Sequence, residues 1–253
     1  MAYSAKDQRY FNQYADGYSP YTLADLELLL ADLVTLLASQ PPRWVCEVGS
    51  ADGQFSTALA QHLPSHIPFL GVDIAERVLR RYPFHKLCGN AFQMPLPDAV
   101  LDLMCYAASL HHLAPFTMAL MELHRVLAPG GLVYFLEPNF FHPQRRFFMT
   151  NSRLYSMYRQ ANDVPVNPRE LGAALIRLGI DVVQLRYINI HFKSPGLLQT
   201  VQNVVSQLPW PVKLRPYVMP WFVLIGKKHT AHGRRCRALP SCTLDDFGTG
   251  ACR

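Results

Sequence analysis

Charge is scarce in this sequence. Asp, Glu, Lys and Arg make up 17% of its 253 residues, against 50% hydrophobic, which excludes a disordered chain and predicts a globular core. Long apolar runs are missing too: none reaches the ~18–20 residues that span a bilayer. Met1 to Arg9 is polar and has no apolar signal-peptide core, so the cytoplasm, with reduced thiols, is the expected compartment. Paired cysteine spacing is absent. Cys46, Cys88 and Cys105 fall in or beside predicted strands as small apolar groups, and Cys236, Cys242 and Cys252 lie in the tail. No metal site is expected from them. A basic groove is also lacking. The formal charge is +6, but residues 227–253 hold six Lys or Arg and two Asp, which leaves +2 for residues 1–226. That distribution speaks against a nucleic-acid footprint. No internal repeat or low-complexity segment is visible.

What is present is a strand and helix alternation over one domain's length. Leucines at 23, 27, 30, 33 and 37 predict a helix from Thr22 to Ala38. Strands are expected at 44–48, 67–72, 86–88, 101–106 and 132–136. Helices are expected at 54–62, 75–81 and 117–127, the last stopped by Pro129-Gly130-Gly131. This rhythm implies right-handed crossovers and a doubly wound, mostly parallel sheet. After Glu137 it changes. A helix over 168–178, strands at 181–187 and 218–228, and a helix at 197–206 within a proline-bearing stretch are expected. The predicted fold is α/β and Rossmann-like, with seven strands, one of them antiparallel near 218–228. Residues 1–40 are read as lid helices, 41–228 as the main domain with substrate-side insertions at 138–165 and 188–217, and 229–253 as a flexible basic tail.

Chemistry concentrates at Trp44-Val45-Cys46-Glu47-Val48-Gly49-Ser50-Ala51-Asp52-Gly53. An apolar strand ends in an acid, a glycine turn comes next, and a helix begins at once. A second strand ends in Asp73, twenty residues after Gly53. Glycines let backbone approach a ligand, and an acid at the tip of the next strand accepts from ribose hydroxyls, so a nucleoside cofactor is expected. A glycine turn with a distant acid also fits NAD-binding proteins. Glu47 argues against them, because it repels the pyrophosphate that a bare helix N-terminus binds and attracts an ammonium.

Five motifs stand in register: Glu47 to Gly53, Asp73, Gly89-Asn90-Ala91-Phe92-Gln93-Met94-Pro95, Ser109-Leu110-His111-His112-Leu113, and Glu122 through Arg125 to Gly131. Over residues 10–228 the chain resembles class I S-adenosylmethionine-dependent methyltransferases, near the type that methylates quinone precursors and other small molecules. The resemblance implies S-adenosylmethionine held by Glu47, Gly49, Ser50, Ala51, Gly53, Asp73, Ile74, Asn90, Ala91, Phe92, Ser109 and Tyr14, with Tyr10, Tyr14 and Tyr18 as a lid. Two positions depart from the family: Ala51 replaces the middle turn glycine, and Asn90 replaces the acid that meets the adenine amino group.

His111 and His112 come after the fourth strand at its ligand-bearing edge and are the candidate catalytic residues, as general base or substrate-orienting group; packing of the connection is the alternative. Ser109 is expected to contact the cofactor's carboxylate or simply to form the turn. Glu137 is expected to reach the substrate or, as the favoured reading, to pair with Arg145 or Arg146. Arg145-Arg146-Phe147-Phe148, Trp210, Lys213, Arg215 and Trp221 read either as an interfacial surface receiving a lipid-like substrate or as core aromatics with snorkelling cations. The expected function is methyl transfer to oxygen or carbon of a small or amphipathic acceptor. A nucleic-acid methyltransferase, a NAD-dependent oxidoreductase and a non-catalytic cofactor-binding protein are the alternatives.

Overall fold

The structure, a computed structural model, describes residues 5–13, 23–151, 163–190 and 197–230. Tyr14 and Tyr18, and the tail from residue 231 onward, lie outside the described residues. In chain order the elements are α1 (Ala5–Gln13), α2 (Leu23–Ala38), β1 (Val45–Val48), α3 (Gln54–Ala60), β2 (Phe69–Asp73), α4 (Glu76–Leu79) and β3 (His85–Cys88). Next come β4 (Leu101–Ala107), a 3-10 turn (Leu110–His112), α5 (Phe116–Val126), β5 (Leu127–Pro138), α6 (Pro143–Thr150), α7 (Pro168–Arg177), β6 (Ile180–Ile188), α8 (Leu197–Gln207), α9 (Arg215–Val218) and β7 (Trp221–Lys228).

The seven strands form one sheet in the order β3-β2-β1-β4-β5-β7-β6. β1 to β5 are parallel, and β7 runs antiparallel to both β5 and β6. β1 and β4 are buried along most of their length because helices cover both sheet faces. Leu120 and Leu123 of α5 and Leu171 and Leu175 of α7 pack with Met104, Tyr106, Phe135 and Phe222. On the opposite face Leu29, Leu30 and Leu33 of α2 and Phe55 and Leu59 of α3 meet Leu103, Tyr134 and Val223. Each fully buried leucine there contributes about 1.5–3 kcal/mol.

Two expectations are corrected. α2 is a layer helix and not a lid: its leucines are buried on the sheet, and Tyr134 donates from its hydroxyl to the Leu29 carbonyl at 3.0 Å. A stripe at helical period with that much leucine requires a core partner. β5 begins at Leu127 and not at 132, so Pro129-Gly130-Gly131, which follows the end of α5 at Val126, lies within the strand. Leu101 pairs with Leu127 and Leu103 with Leu132, so the intervening residues bulge from the ladder. The last turn of α5 is closed by Lys228, whose ammonium donates to the carbonyls of His124 and Leu127 at 2.6 and 2.8 Å. A cation suits the negative end of the helix dipole.

Candidate cofactor and active site

Strand order reverses between β1 and β4, the place where open α/β sheets bind ligands. A cavity opens there, about 650 Å³ including the part that merges with solvent. Gly49 and Ala51 line it from the turn after β1, Asp73, Ile74 and Ala75 from the end of β2, and Ala108, Ser109, His112 and Leu113 from the loop after β4. Val72, Val78, Gly89, Ala91 and Phe11 complete the lining.

The turn after β1 is left-handed at three places, with φ of +70° at Gly49, +46° at Ala51 and +83° at Gly53. A Cβ on Gly49 would lie 2.4 Å from Ser109 Cβ, so the glycine lets the β4 loop close on the turn. Ser109 then donates from its hydroxyl to the Val48 carbonyl at 2.6 Å. Gly53 serves another purpose. A Cβ there would lie 2.6 Å from the Tyr82 ring, and Gly53 is absent from the cavity lining.

Asp73 accepts from Ala51 N–H at 2.9 Å and from Ala75 N–H at 2.8 Å, one on each oxygen. The carboxylate lines the cavity, where it can accept from the hydroxyls of a ribose. Burial pushes this carboxyl up, against the pull of the backbone N–H groups of Ala75, Ala51 and Ile74. Ile74, Ala91 and Leu113 give the apolar wall that a purine requires.

Glu47 is not among the residues that line this cavity. Its Oε2 accepts from both the N–H and the hydroxyl of Ser56 on the first turn of α3. Tyr82 donates to the same Ser56 oxygen at 2.8 Å. Glu47 stands one residue inside the end of β1, where the first turn of α3 reaches the carboxyl. Burial pushes Glu47 up to about 8. Ser50 and Phe92 also lie off the lining, Ser50 buried and Phe92 against the core. Asn90 is off it too, its Oδ1 accepting from Phe92 N–H at 2.9 Å. Residues 94–98, the continuation of this loop, are clamped by Arg125, which donates to the carbonyls of Met94 and Leu96 and pairs with Glu122 and Asp98. The Glu122…Arg125 motif is therefore structural.

The two histidines divide. His112 lines the cavity, its ring 5.2 Å from that of Phe11 on α1. His111 stands off the lining, its Nδ1 2.6 Å from Oε2 of the fully buried Glu137. Glu137 does not pair with Arg145 or Arg146 as the sequence suggests. It accepts instead from the N–H groups of Ser109 and Leu110 at 3.1 and 2.7 Å, because β5 places it beside the loop that ends β4. Arg145 pairs with Asp163 at 3.1 Å. Burial holds His111 down at about 3 and pushes Glu137 up to about 8, so His111 stays neutral at working pH. One nitrogen each of His111 and His112 and an oxygen of Asp163 lie within 4.8 Å of one another. Arg145 already supplies the positive charge on Asp163.

The sequence reading missed Phe11, Val72, Ala75, Val78, Gly89, Ala108 and Leu113. Gly89 and Leu113 stand in motifs readable in the sequence; the others are apolar residues placed by tertiary packing. Tyr10 is half-buried against Phe11, at 5.3 Å between rings, and Phe11 is the α1 residue that covers the cavity.

Residues 46–135 match the methyltransferase domain family. Among curated relatives, a demethylmenaquinone methyltransferase of Deinococcus radiodurans is 30% identical over 123 residues, which are 45% of this chain and 50% of the relative. A malonyl-[acyl-carrier protein] O-methyltransferase of Serratia marcescens is 29% identical over 108 residues, 41% of each chain. The chain spans about half the length of the first curated relatives it matches. A solved S-adenosylmethionine-dependent methyltransferase from Archaeoglobus fulgidus superposes with a TM-score of 0.59 over 87% of this chain and 99% of that one, at 18% identity, which speaks to the fold. Residues 46–135, at the centre of this sheet, match a methyltransferase domain, and the fold is shared with a solved S-adenosylmethionine-dependent methyltransferase.

Proposed function

We propose that the chain transfers a methyl group from S-adenosylmethionine to oxygen or carbon of a small or amphipathic acceptor, lipid-like or quinone-like, in the cytoplasm. The observation that carries this reading is Asp73, which lines a cavity at the strand-order reversal, beside the Gly49 to Ala51 turn. The names of the two relatives support an amphipathic acceptor, since one acts on a demethylmenaquinone and the other on an acyl-carrier-bound malonyl group.

When bound, the cofactor supplies the methyl group on a sulfonium leaving group. The protein's part is to align the acceptor and exclude water, which is worth ~7–11 kcal/mol of barrier in well-oriented reactions. Asp73 and the Gly49 to Ala51 backbone bind, Phe11 covers, and His112 faces the acceptor side. His111 is a positioning residue, its ring fixed by Glu137 behind His112; the ring centroids of the two histidines are 4.0 Å apart. A neutral imidazole suits proton removal from a phenol or enol.

Release of S-adenosylhomocysteine with a panel of quinols, phenols and acyl carboxylates tests the reading. Turnover on at least one acceptor, lowered in His112→Ala with cofactor binding intact, is the expected result. Failure of the purified protein to bind S-adenosylhomocysteine at all would overturn it.

A further inference from the structure

α8 is amphipathic the wrong way round. Gln202 and Asn203 face the protein. Gln202 donates to the Val218 carbonyl at 2.8 Å and bonds His142 Nε2 at 2.9 Å, and Asn203 accepts from Asn189 at 3.0 Å. Its apolar stripe faces solvent instead, with Val201 at 53% exposure, Val204 at 61% and Leu208 at 52%. These stand at i, i+3 and i+7, one face of a helix. The same exposure continues into the next turn of chain, through Val212 at 76%, Leu214 and Tyr217.

Scattered exposed apolar residues are ordinary, but a contiguous set on one helix and its sequel marks an interaction site. The charge around it identifies the partner. No Asp or Glu occurs between Asp181 and Asp245, while Lys213 and Arg215 interrupt the apolar run and are exposed. The neighbouring α6, whose N-cap His142 touches α8 through Gln202, adds exposed Arg146 and Phe147. Trp210, half-buried and bonded through its indole N–H to the Val205 carbonyl, sits at the bend. Apolar anchors, a tryptophan and cations with no acid among them match the boundary of an anionic lipid leaflet. A protein partner of any acidic kind would find cations here, yet nothing for it to pair with at Val201, Val204 and Val212.

We infer that α8 and the 208–217 segment form a docking face for an anionic membrane surface, into which the valine and leucine stripe inserts while Lys213 and Arg215 meet headgroups. No helix among the described residues is long and apolar enough to cross a membrane, so the attachment is peripheral. This deepens the reading of an amphipathic acceptor and rests on it only for the purpose of docking; the binding itself is measured without methyl transfer.

The test is co-sedimentation of the full chain with phosphatidylcholine vesicles carrying phosphatidylglycerol, against vesicles of phosphatidylcholine alone, at low and high salt. The wild type is expected to sediment with the anionic vesicles, and less so at high salt. The double variant Val204→Asp with Leu208→Asp is expected to lower the partition coefficient about tenfold or more, and Lys213→Gln with Arg215→Gln to remove most of the preference for phosphatidylglycerol. Unchanged S-adenosylhomocysteine affinity in each variant shows that the fold is intact. The inference is overturned by a wild type that stays in the supernatant, or by aspartates at 204 and 208 that leave sedimentation unaltered. It is equally overturned if those aspartates abolish a self-association seen by ultracentrifugation, since the face would then belong to a second copy of the chain. Cofactor binding and turnover without sedimentation would sink the docking face alone; sedimentation without cofactor binding would sink the methyl-transfer reading alone.

Discussion

Glu47 and Asp73 stand at the ends of neighbouring parallel strands and look alike in the sequence pattern. Their carboxyl groups go different ways. Asp73 meets two backbone N–H groups and still opens onto the cavity, whereas Glu47 is taken up by Ser56 beneath the turn. The difference lies in where each acid stands and which donors reach it. Glu47 is one residue inside β1, and Ser56 on α3 offers it both a backbone N–H and a hydroxyl. Asp73 is the last residue of β2, at the rim, where only backbone N–H groups of the adjoining turns reach it. An acid near a strand end is therefore a ligand group only when the adjoining helix leaves it facing the cleft.

The largest expected effect is on the cofactor. Asp73→Ala removes an acceptor for two charge-assisted hydrogen bonds and should weaken S-adenosylhomocysteine by ~100-fold or more, about 3 kcal/mol, in calorimetric titration. An unaltered Kd would contradict the role given to Asp73. Glu47→Ala should act on the fold instead. It strands the Ser56 donors and should cost ~2–3 kcal/mol in urea unfolding, with cofactor affinity changed less than about tenfold. Equal losses of affinity in the two variants would erase the contrast between the strand ends.

The pH dependence sharpens it further. Glu47 rises from 4.5 to about 8 on folding because of burial. Between those values the native state keeps a proton that the unfolded chain has released. Its contribution is complete below about pH 4.5 and is lost as pH rises through about 8. The melting temperature of the cofactor-free protein should accordingly fall from about pH 7 to about pH 8, above the range in which buried His111, held down at about 3, opposes it. Glu47→Gln, with nothing to titrate, should flatten that fall; Glu137, raised to about 8 as well, leaves a residual slope. The smallest effect belongs to the turn between the two acids. Ala51 sits at φ +46°, and Ala51→Gly should relieve ~0.5–1 kcal/mol of left-handed strain, read as a small rise in the urea midpoint.

Legibility tracks locality. Strands β1, β2 and β4 and helices α3 and α5 are readable because each is a run of apolar residues with its own period. The antiparallel strand near 218–228 is readable from Trp221 to Ile225. Gly49, Ala51, Asp73, Ile74, Ala91, Ser109 and His112 stand in motifs and do line the cavity. Gly53 and Asn90 stand in the same motifs and do not, since a turn glycine answers to whatever lies above it, here Tyr82, and an asparagine side chain finds its own loop first. The Glu137 bond to His111 joins residues 26 apart across two strand ends, and no local pattern encodes it.

What the amino-acid order settled alone is the series of strands and helices, the glycine turn and the acid twenty residues beyond it, because backbone conformation and hydrophobic period act over a few neighbouring residues. What required the folded chain is the direction of each polar side chain: Glu47 under α3, Glu137 behind His111, Phe11 over the cavity, and Gln202 and Asn203 of α8 turned inward. Those directions depend on which donor or apolar surface arrives from a distant part of the chain, and that is decided only when the sheet assembles.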